Sequence, residues 1–189
     1  MSRPNILRTG GIELDAVQIE RLREFAAMLE AANKRFNMLS RRTGNADAIL
    51  EDHLMDSLRA LPLIEGRSAA DVGSGAGLPG VPLAIADASR SITLIERASR
   101  RCDFLRLVKT RLDLANLEIL EADAREIEPN PGFDTALARA LAKPAQALRI
   151  LARLVKSGGR LVLFVGDGSE RLPDEIEGRS VRSVGGPAS

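Results

Sequence analysis

Apolar residues recur at helical steps along the first third of the chain and gather in short runs along the rest. Between residues 12 and 39, Leu14, Val17, Leu22, Phe25, Met28 and Leu29 are spaced with charges between them, which predicts a long amphipathic helical region. Asp15 stands where it can cap a helix start. Phe36, Met38 and Leu39 extend the apolar face, and Arg41-Arg42-Thr43-Gly44 then makes a polar break. Asn45 or Asp47 caps a predicted second helix that carries Ile49, Leu50, Leu54, Leu58 and Leu61 and stops at Pro62.

From Ser68 the pattern changes. Short apolar runs predict strands at 69–72, 91–96, 116–121, 133–138 and 159–165, with helices near 80–87, 98–112 and 144–156. The turn Lys156-Ser157-Gly158-Gly159 reads as a helix stop before a buried strand. One weaker strand candidate lies at 180–184. Strand–helix alternation with short connections predicts an α/β fold, a doubly wound, mostly parallel and Rossmann-like sheet. The expected organisation is an N-terminal helical extension over residues 1–66, packed on a sheet domain over 67–189 as one compact unit.

With 189 residues, the chain is long enough for one domain with a sizeable core. No apolar run approaches the roughly 20 residues of a membrane span, and Met1–Gly10 lacks the apolar block of a signal peptide. A cytoplasmic protein without a membrane partner is expected. Cys102 is the only cysteine, which excludes an intramolecular disulfide and a cysteine-based zinc site; no metal is expected. The net charge of +1 says little, but its distribution says more. Arg139, Lys143, Arg149, Arg153, Lys156 and Arg160 follow one another without an acid between them. Arg97, Arg100, Arg101, Arg106, Lys109 and Arg111 form a second run, and Lys34, Arg35, Arg41 and Arg42 a third. Such runs suit either a polyanion or solvated helix faces.

The densest chemical signal is Ala69–Pro82, where a strand ending at Asp71-Val72 meets a loop with Gly73, Gly75 and Gly77 before an apolar helix. Glycines permit close approach of a ligand to the backbone, and a following helix start offers N–H groups. The third glycine of a dinucleotide fingerprint falls on Leu78. The loop, with Asp71 upstream, instead resembles the first motif of S-adenosylmethionine-dependent methyltransferases, whose cofactor carries a cationic methionine part. Glu96 ends the second sheet strand about 20 residues on, where an acid accepts hydrogen bonds from ribose. Glu121-Ala122-Asp123-Ala124-Arg125 ends the third strand, either beside an adenine or as a surface turn. Arg139 is delivered to the carboxyl edge of the sheet by the fourth, either to meet an anionic or purine-bearing substrate or to form a salt bridge. His53, the single histidine, shares a helix face with Asp56 and is a base, a ligand contact or a packed helix residue.

Taken together, Phe36-Asn37-Met38-Leu39-Ser40, His53-Leu54-Met55-Asp56-Ser57-Leu58, the Asp71–Pro82 loop, Leu94-Ile95-Glu96 with Arg100–Leu105, and Phe133-Asp134 with Ala138-Arg139-Ala140 resemble one family. It is the ribosomal RNA small subunit methyltransferase G family, also called glucose-inhibited division protein B. The likeness runs in order from about Phe36 to Phe164. It implies S-adenosylmethionine as cofactor and methyl transfer to N7 of a guanine in 16S ribosomal RNA, free or in the small-subunit particle; a monomer is expected. It places Gly73, Leu78, Ala124, Arg125 and Arg139 at the cofactor, beside Asp71, Gly75, Gly77 and Glu96 from the motif reading. Departures are Arg125 where the family usually has an acid, Val165-Gly166 where it has Lys-Gly, and a short tail. Guanine N7 carries a lone pair and no proton, so in-line displacement needs no obligatory general base. Among the expected catalytic residues, Arg139 would orient the purine or a phosphate and His53 would hold substrate or brace the N-terminal helices. Arg41, Arg42, Arg139 and Lys143 form the expected RNA surface. So few aromatics are available, Phe36 foremost, that recognition through extended stacking platforms is not expected. The alternatives are a nicotinamide-dependent oxidoreductase and a non-catalytic RNA-binding module on the same fold.

Overall fold

The computed structural model describes residues 7–9, 11–39, 44–129, 132–166 and 171–185. A short hairpin of β1 (Leu7–Thr9) and β2 (Ile12–Leu14) precedes α1 (Ala16–Phe36). Asp15 caps α1 in a reciprocal box: its carboxylate accepts from Gln18 N–H at 2.8 Å while Gln18 Oε1 accepts from Asp15 N–H. The helix therefore starts later than the apolar pattern suggests. Leu14 belongs to a strand, Val17 is 60 % exposed, and the buried stripe is Ile19, Leu22, Phe25, Ala26, Leu29 and Ala32.

The second predicted helix is broken into pieces. Asn45 caps α2 (Ala46–Ile49), a π-helical turn spans Leu50–Leu54, α3 covers Met55–Leu58, and Pro62 sits inside a 3₁₀ turn at Leu61–Leu63. The cause is legible in the spacing. Ile49 and Leu54 are both fully buried yet five residues apart, a step that a wide turn with i→i+5 bonding puts on one face. The bond from Met55 N–H to the Leu50 carbonyl closes it.

The sheet is β3 (Ser68–Val72), β4 (Ser91–Glu96), β5 (Leu117–Glu121), β6 (Phe133–Arg139), β7 (Val155–Phe164), β8 (Glu175–Ile176) and β9 (Arg179–Val184), with α4 (Gly80–Ala86), α5 (Ser99–Arg111) and α6 (Pro144–Leu154) between strands. Its order is β5-β4-β3-β6-β7-β9-β8, parallel except for the β8–β9 hairpin. Alternate residues feed opposite faces, as a pleated strand requires. Ala69, Leu94, Leu137 and Val162 join α1, α4 and α5 in one core; Ala70, Val72, Ile95, Ala136, Ala138 and Leu161 pack with α6 in the other. Gln18 also ties α1 to the end of α4, donating to the carbonyls of Ile85 and Ala86.

Two differences from the sequence reading stand out. The chain leaves α6 at Leu154, so 155–158 are strand rather than helix end. Val155 pairs with Phe133, then the register shifts so that Thr135 faces Arg160. The Lys156–Gly159 stretch is thus a bulge within β7. Secondly, the weak tail candidate is β9, a full neighbour of β7, turned back to β8 through Glu177 and Gly178, both at positive φ.

Candidate functional site

In an open α/β sheet, ligands bind outside the carboxyl ends of the strands where the strand order reverses. Here that point lies between β3 and β6, and a cleft of about 310 Å³ opens beside it. Its floor is Gly73, at φ 72°, whose N–H donates to the Ile95 carbonyl at 2.8 Å. A Cβ at this position would lie 2.6 Å from Leu141 Cδ1. The positive φ therefore favours glycine here, and a side chain would also have to push the Leu141 methyl aside.

The remaining loop residues support this floor from outside the cleft. Gly75 donates its N–H to Glu96 Oε2 at 2.9 Å. A Cβ at Gly77 would meet Val81 Cγ2 at 2.8 Å and Leu105 Cδ2 at 2.9 Å, so this glycine lets the loop sit on α4 and α5. Leu78 is buried in the α1-side core. Asp71 is fully buried, and its Oδ2 accepts from Gly80 N–H at 2.9 Å. The expected outward-facing N–H groups of the helix start are thus engaged within the protein, since Val81 N–H bonds to Gly77 O. Asp71 Oδ1 is buried with no hydrogen-bond partner. Burial pushes the Asp71 pKa up to about 7, and neighbouring Glu96 adds to the rise.

Glu96, 5 % exposed, does line the cleft. Its two oxygens accept from Gly75 N–H and Ala98 N–H, and Arg101 Nη1 lies 3.8 Å away. An ionised carboxylate has about four acceptor positions, so two remain for a ligand. Ala124 and Arg125 also line the cleft, with Asp123 between them and the β5 end. Arg125 turns back onto Asp123 through side chain and backbone, and with Arg97 at 3.7 Å it holds the Asp123 carboxyl well below the usual carboxylate range.

Arg139 ends β6 and points away from the cleft wall towards the N-terminal helices. Its Nη2 stands 3.3 Å from His53 Nδ1 and 3.6 Å from Asp56 Oδ2, and its guanidinium lies over Phe164 at 5.7 Å. A guanidinium only donates, so this contact suits the neutral imidazole that accepts at Nδ1. Burial, then the Arg139 charge, lowers the His53 pKa. The next three residues of the chain, Ala140, Leu141 and Ala142, form a wall of the cleft; Ala140 sits at φ 54°, a conformation that costs a non-glycine residue about 1 kcal/mol or more. Lys143 follows as the exposed residue before α6. Arg41 and Arg42 lie outside the described residues.

The basic runs resolve unequally. Arg106, Lys109, Arg111, Lys156 and Arg160 each meet a carboxylate, and Arg153 donates to the carbonyls of Arg125 and Ile127. The sequence reading missed the far wall: Gln146 and Ile150, one turn apart on α6, and Leu141 over the glycine corner. The signal was Pro144 opening a strongly amphipathic helix directly after Arg139-Ala140. Among the described residues, no group of three or more histidines, cysteines and acids could hold a metal, and no helix is long and apolar enough to cross a membrane.

The family model for rRNA small subunit methyltransferase G matches residues 18–181. The chain belongs to that family. A ribosomal RNA small subunit methyltransferase G from Alkalilimnicola ehrlichii is 36 % identical over 176 residues, 93 % of this chain and 77 % of that one. Its counterpart from Borrelia turicatae is 36 % identical over 163 residues, 85 % and 77 % of the two chains. Among solved structures, coclaurine N-methyltransferase bound to N-methylheliamine and SAH superposes with a TM-score of 0.56 over 77 % of this chain and 50 % of that one, at 19 % identity. TYW2 of P. horikoshii gives 0.51 over 82 % and 49 %, at 14 % identity. These two likenesses show the Rossmann-like methyltransferase fold. Family membership leaves the nicotinamide-dependent alternative without support.

Proposed function

We propose that this protein is an S-adenosylmethionine-dependent methyltransferase that modifies N7 of a guanine in 16S ribosomal RNA. The observation that carries the reading is the family match across residues 18–181 together with a cleft suited to such a cofactor. The floor at Gly73 is bare backbone, Glu96 has acceptor capacity to spare, and Ala124 and Leu141 give apolar surface. When bound, the cofactor supplies an electrophilic methyl group on a sulfonium. Glu96 would take the ribose hydroxyls, and Ala124 with Arg125 the adenine. Asp71, Gly75, Gly77 and Leu78 would act from beneath by fixing the loop, and Arg139 through the wall that follows it.

The chain's own task is positioning and exclusion of water, because guanine N7 has a lone pair and no proton to remove. His53 suits that division of labour. Its Nδ1 lone pair is engaged by Arg139, so it braces the arginine rather than receiving a proton. Arg139 would orient the purine or a phosphate, with Lys143, Arg41 and Arg42 on the RNA side. The described residues before Arg67 would act as a largely helical extension on the methyltransferase unit that follows, and the protein would work as a cytoplasmic monomer on free RNA or the small-subunit particle. Calorimetry with S-adenosylmethionine and with NAD, followed by labelled methyl transfer to purified small-subunit RNA, tests the reading. Binding without transfer would favour the non-catalytic module; binding of NAD alone would overturn the assignment.

A further inference from the structure

The chain has five phenylalanines and no tyrosine or tryptophan. Phe25 is fully buried, whereas Phe36 is 47 % exposed at the last position of α1. Asn37 then turns the backbone at φ 48°. Arg100, in the first turn of α5, places its guanidinium over the Phe36 ring, 5.3 Å from the centroid. Its neighbours Arg97, Arg101, Arg106, Lys109 and Arg111 all lie within 4 Å of a carboxylate. Arg100 stacks on an aromatic ring, is in no ion pair among the described residues, and stays exposed. Arg35 adds positive charge in the last turn of α1, where Lys34 is paired with Glu30. Arg101, one residue further along α5, lines the cleft.

We propose that Phe36 and Arg100 form a single-nucleotide docking point for the RNA substrate, resting on the methyltransferase reading above: an unstacked base lies against the exposed phenylalanine and Arg100 contacts the adjoining phosphate. Every base has a π face, so an exposed ring accepts any of them, and an arginine without a carboxylate partner keeps its charge for a phosphate. Position decides for RNA. Arg101, the next residue along α5, lines the cleft, which would put the pair on the approach of a strand that delivers a purine to the methyl donor. One ring holds one nucleotide and builds no extended platform, which agrees with the scarcity of aromatics. A mere clasp between α1 and α5 would lose its cation–π contact in Phe36→Leu at the expense of fold stability, not of RNA affinity, and that difference is measurable.

The test is fluorescence anisotropy of a labelled, deproteinised 16S ribosomal RNA fragment binding to Phe36→Leu, Phe36→Trp and Arg100→Ala across a salt series. S-adenosylmethionine affinity is measured on the same samples. Phe36→Leu is expected to weaken RNA binding roughly 5- to 50-fold with the salt slope kept, and Phe36→Trp to bind at least as tightly as the parent. Arg100→Ala is expected to lower the logarithmic salt slope by about 0.7. Cofactor affinity holds in all three. Phe36→Leu binding within twofold of the parent, an unchanged slope in Arg100→Ala, or loss of RNA and cofactor together overturns the docking point. A parent that methylates RNA while Phe36→Leu binds normally sinks this inference alone. A parent that transfers no methyl sinks the methyltransferase reading, and the binding series still decides on the platform.

Discussion

Arg139 reaches out of the sheet to His53, with 3.3 Å between Nη2 and Nδ1, and that contact links the N-terminal helices to the segment walling the cleft. His53 belongs to the π-helical turn and Asp56, three residues on, to α3, and both side chains reach one arginine. Lysine keeps the charge of Arg139 but has no planar fork. Arg139→Lys is expected to lower kcat/KM for RNA about 10- to 100-fold through misplacement of the wall and acceptor. Steady-state kinetics read this directly; retention of full activity would show that charge alone suffices.

A second expectation concerns pH–rate behaviour. If His53 braces Arg139 and transfers no proton, His53→Ala lowers the single-turnover rate without removing a limb from the pH profile. A steep limb in the parent that vanishes in the variant, with RNA still bound, contradicts a base-free mechanism.

Gly73→Ala probes the floor of the cleft. Its φ of 72° disfavours any side chain, and the new methyl would collide with Leu141. A stability loss of about 1–2 kcal/mol is expected, with a larger proportional loss of S-adenosylmethionine affinity, because Leu141 must move. Thermal unfolding and calorimetry on the same variant separate the two effects.

Asp71 and Asp134 should give opposite pH signatures. The pKa of folded Asp71 is raised to about 7, above its unfolded value near 3.8. The folded state therefore holds the proton more tightly, and this group favours folding less as pH rises from about 4 to 7, with no further change beyond. Asp71→Asn should flatten that fall in the thermal midpoint. Asp134 is depressed by Lys156 first and by the N–H groups of Ser68 and Arg67, so its contribution is present above its unfolded value and lost on acidification. Asp134→Asn removes the charged acceptor from Ser68 N–H, Ser68 Oγ–H and Arg67 N–H and is expected to cost about 1–3 kcal/mol at neutral pH.

The sheet was legible because alternation and length mark β3, β4 and β6 without ambiguity, and the glycine loop marks which edge binds. What escaped the sequence depended on contacts distant along the chain. Nothing near Asp71 announces that its carboxylate will take the Gly80 N–H rather than face a ligand. The second helix looked continuous because Leu50, Leu54 and Leu58 stand four apart, and the wider turn shows only once Ile49 and Leu54, five apart, are both seen to be buried. Val155 reads as helix until Phe133 is found opposite it. Arg125 was placed at the cleft, but its fold-back onto Asp123 emerges only with side chains in place.

The proposed chemistry is tested most directly by mapping the methyl group. The purified protein is incubated with S-adenosylmethionine carrying a labelled methyl and with unmodified small-subunit ribosomal RNA, and the RNA is digested to nucleosides and read by mass spectrometry. The label should appear as 7-methylguanosine at a single position. Unlabelled RNA, or label on another atom or spread over many sites, would contradict the proposal.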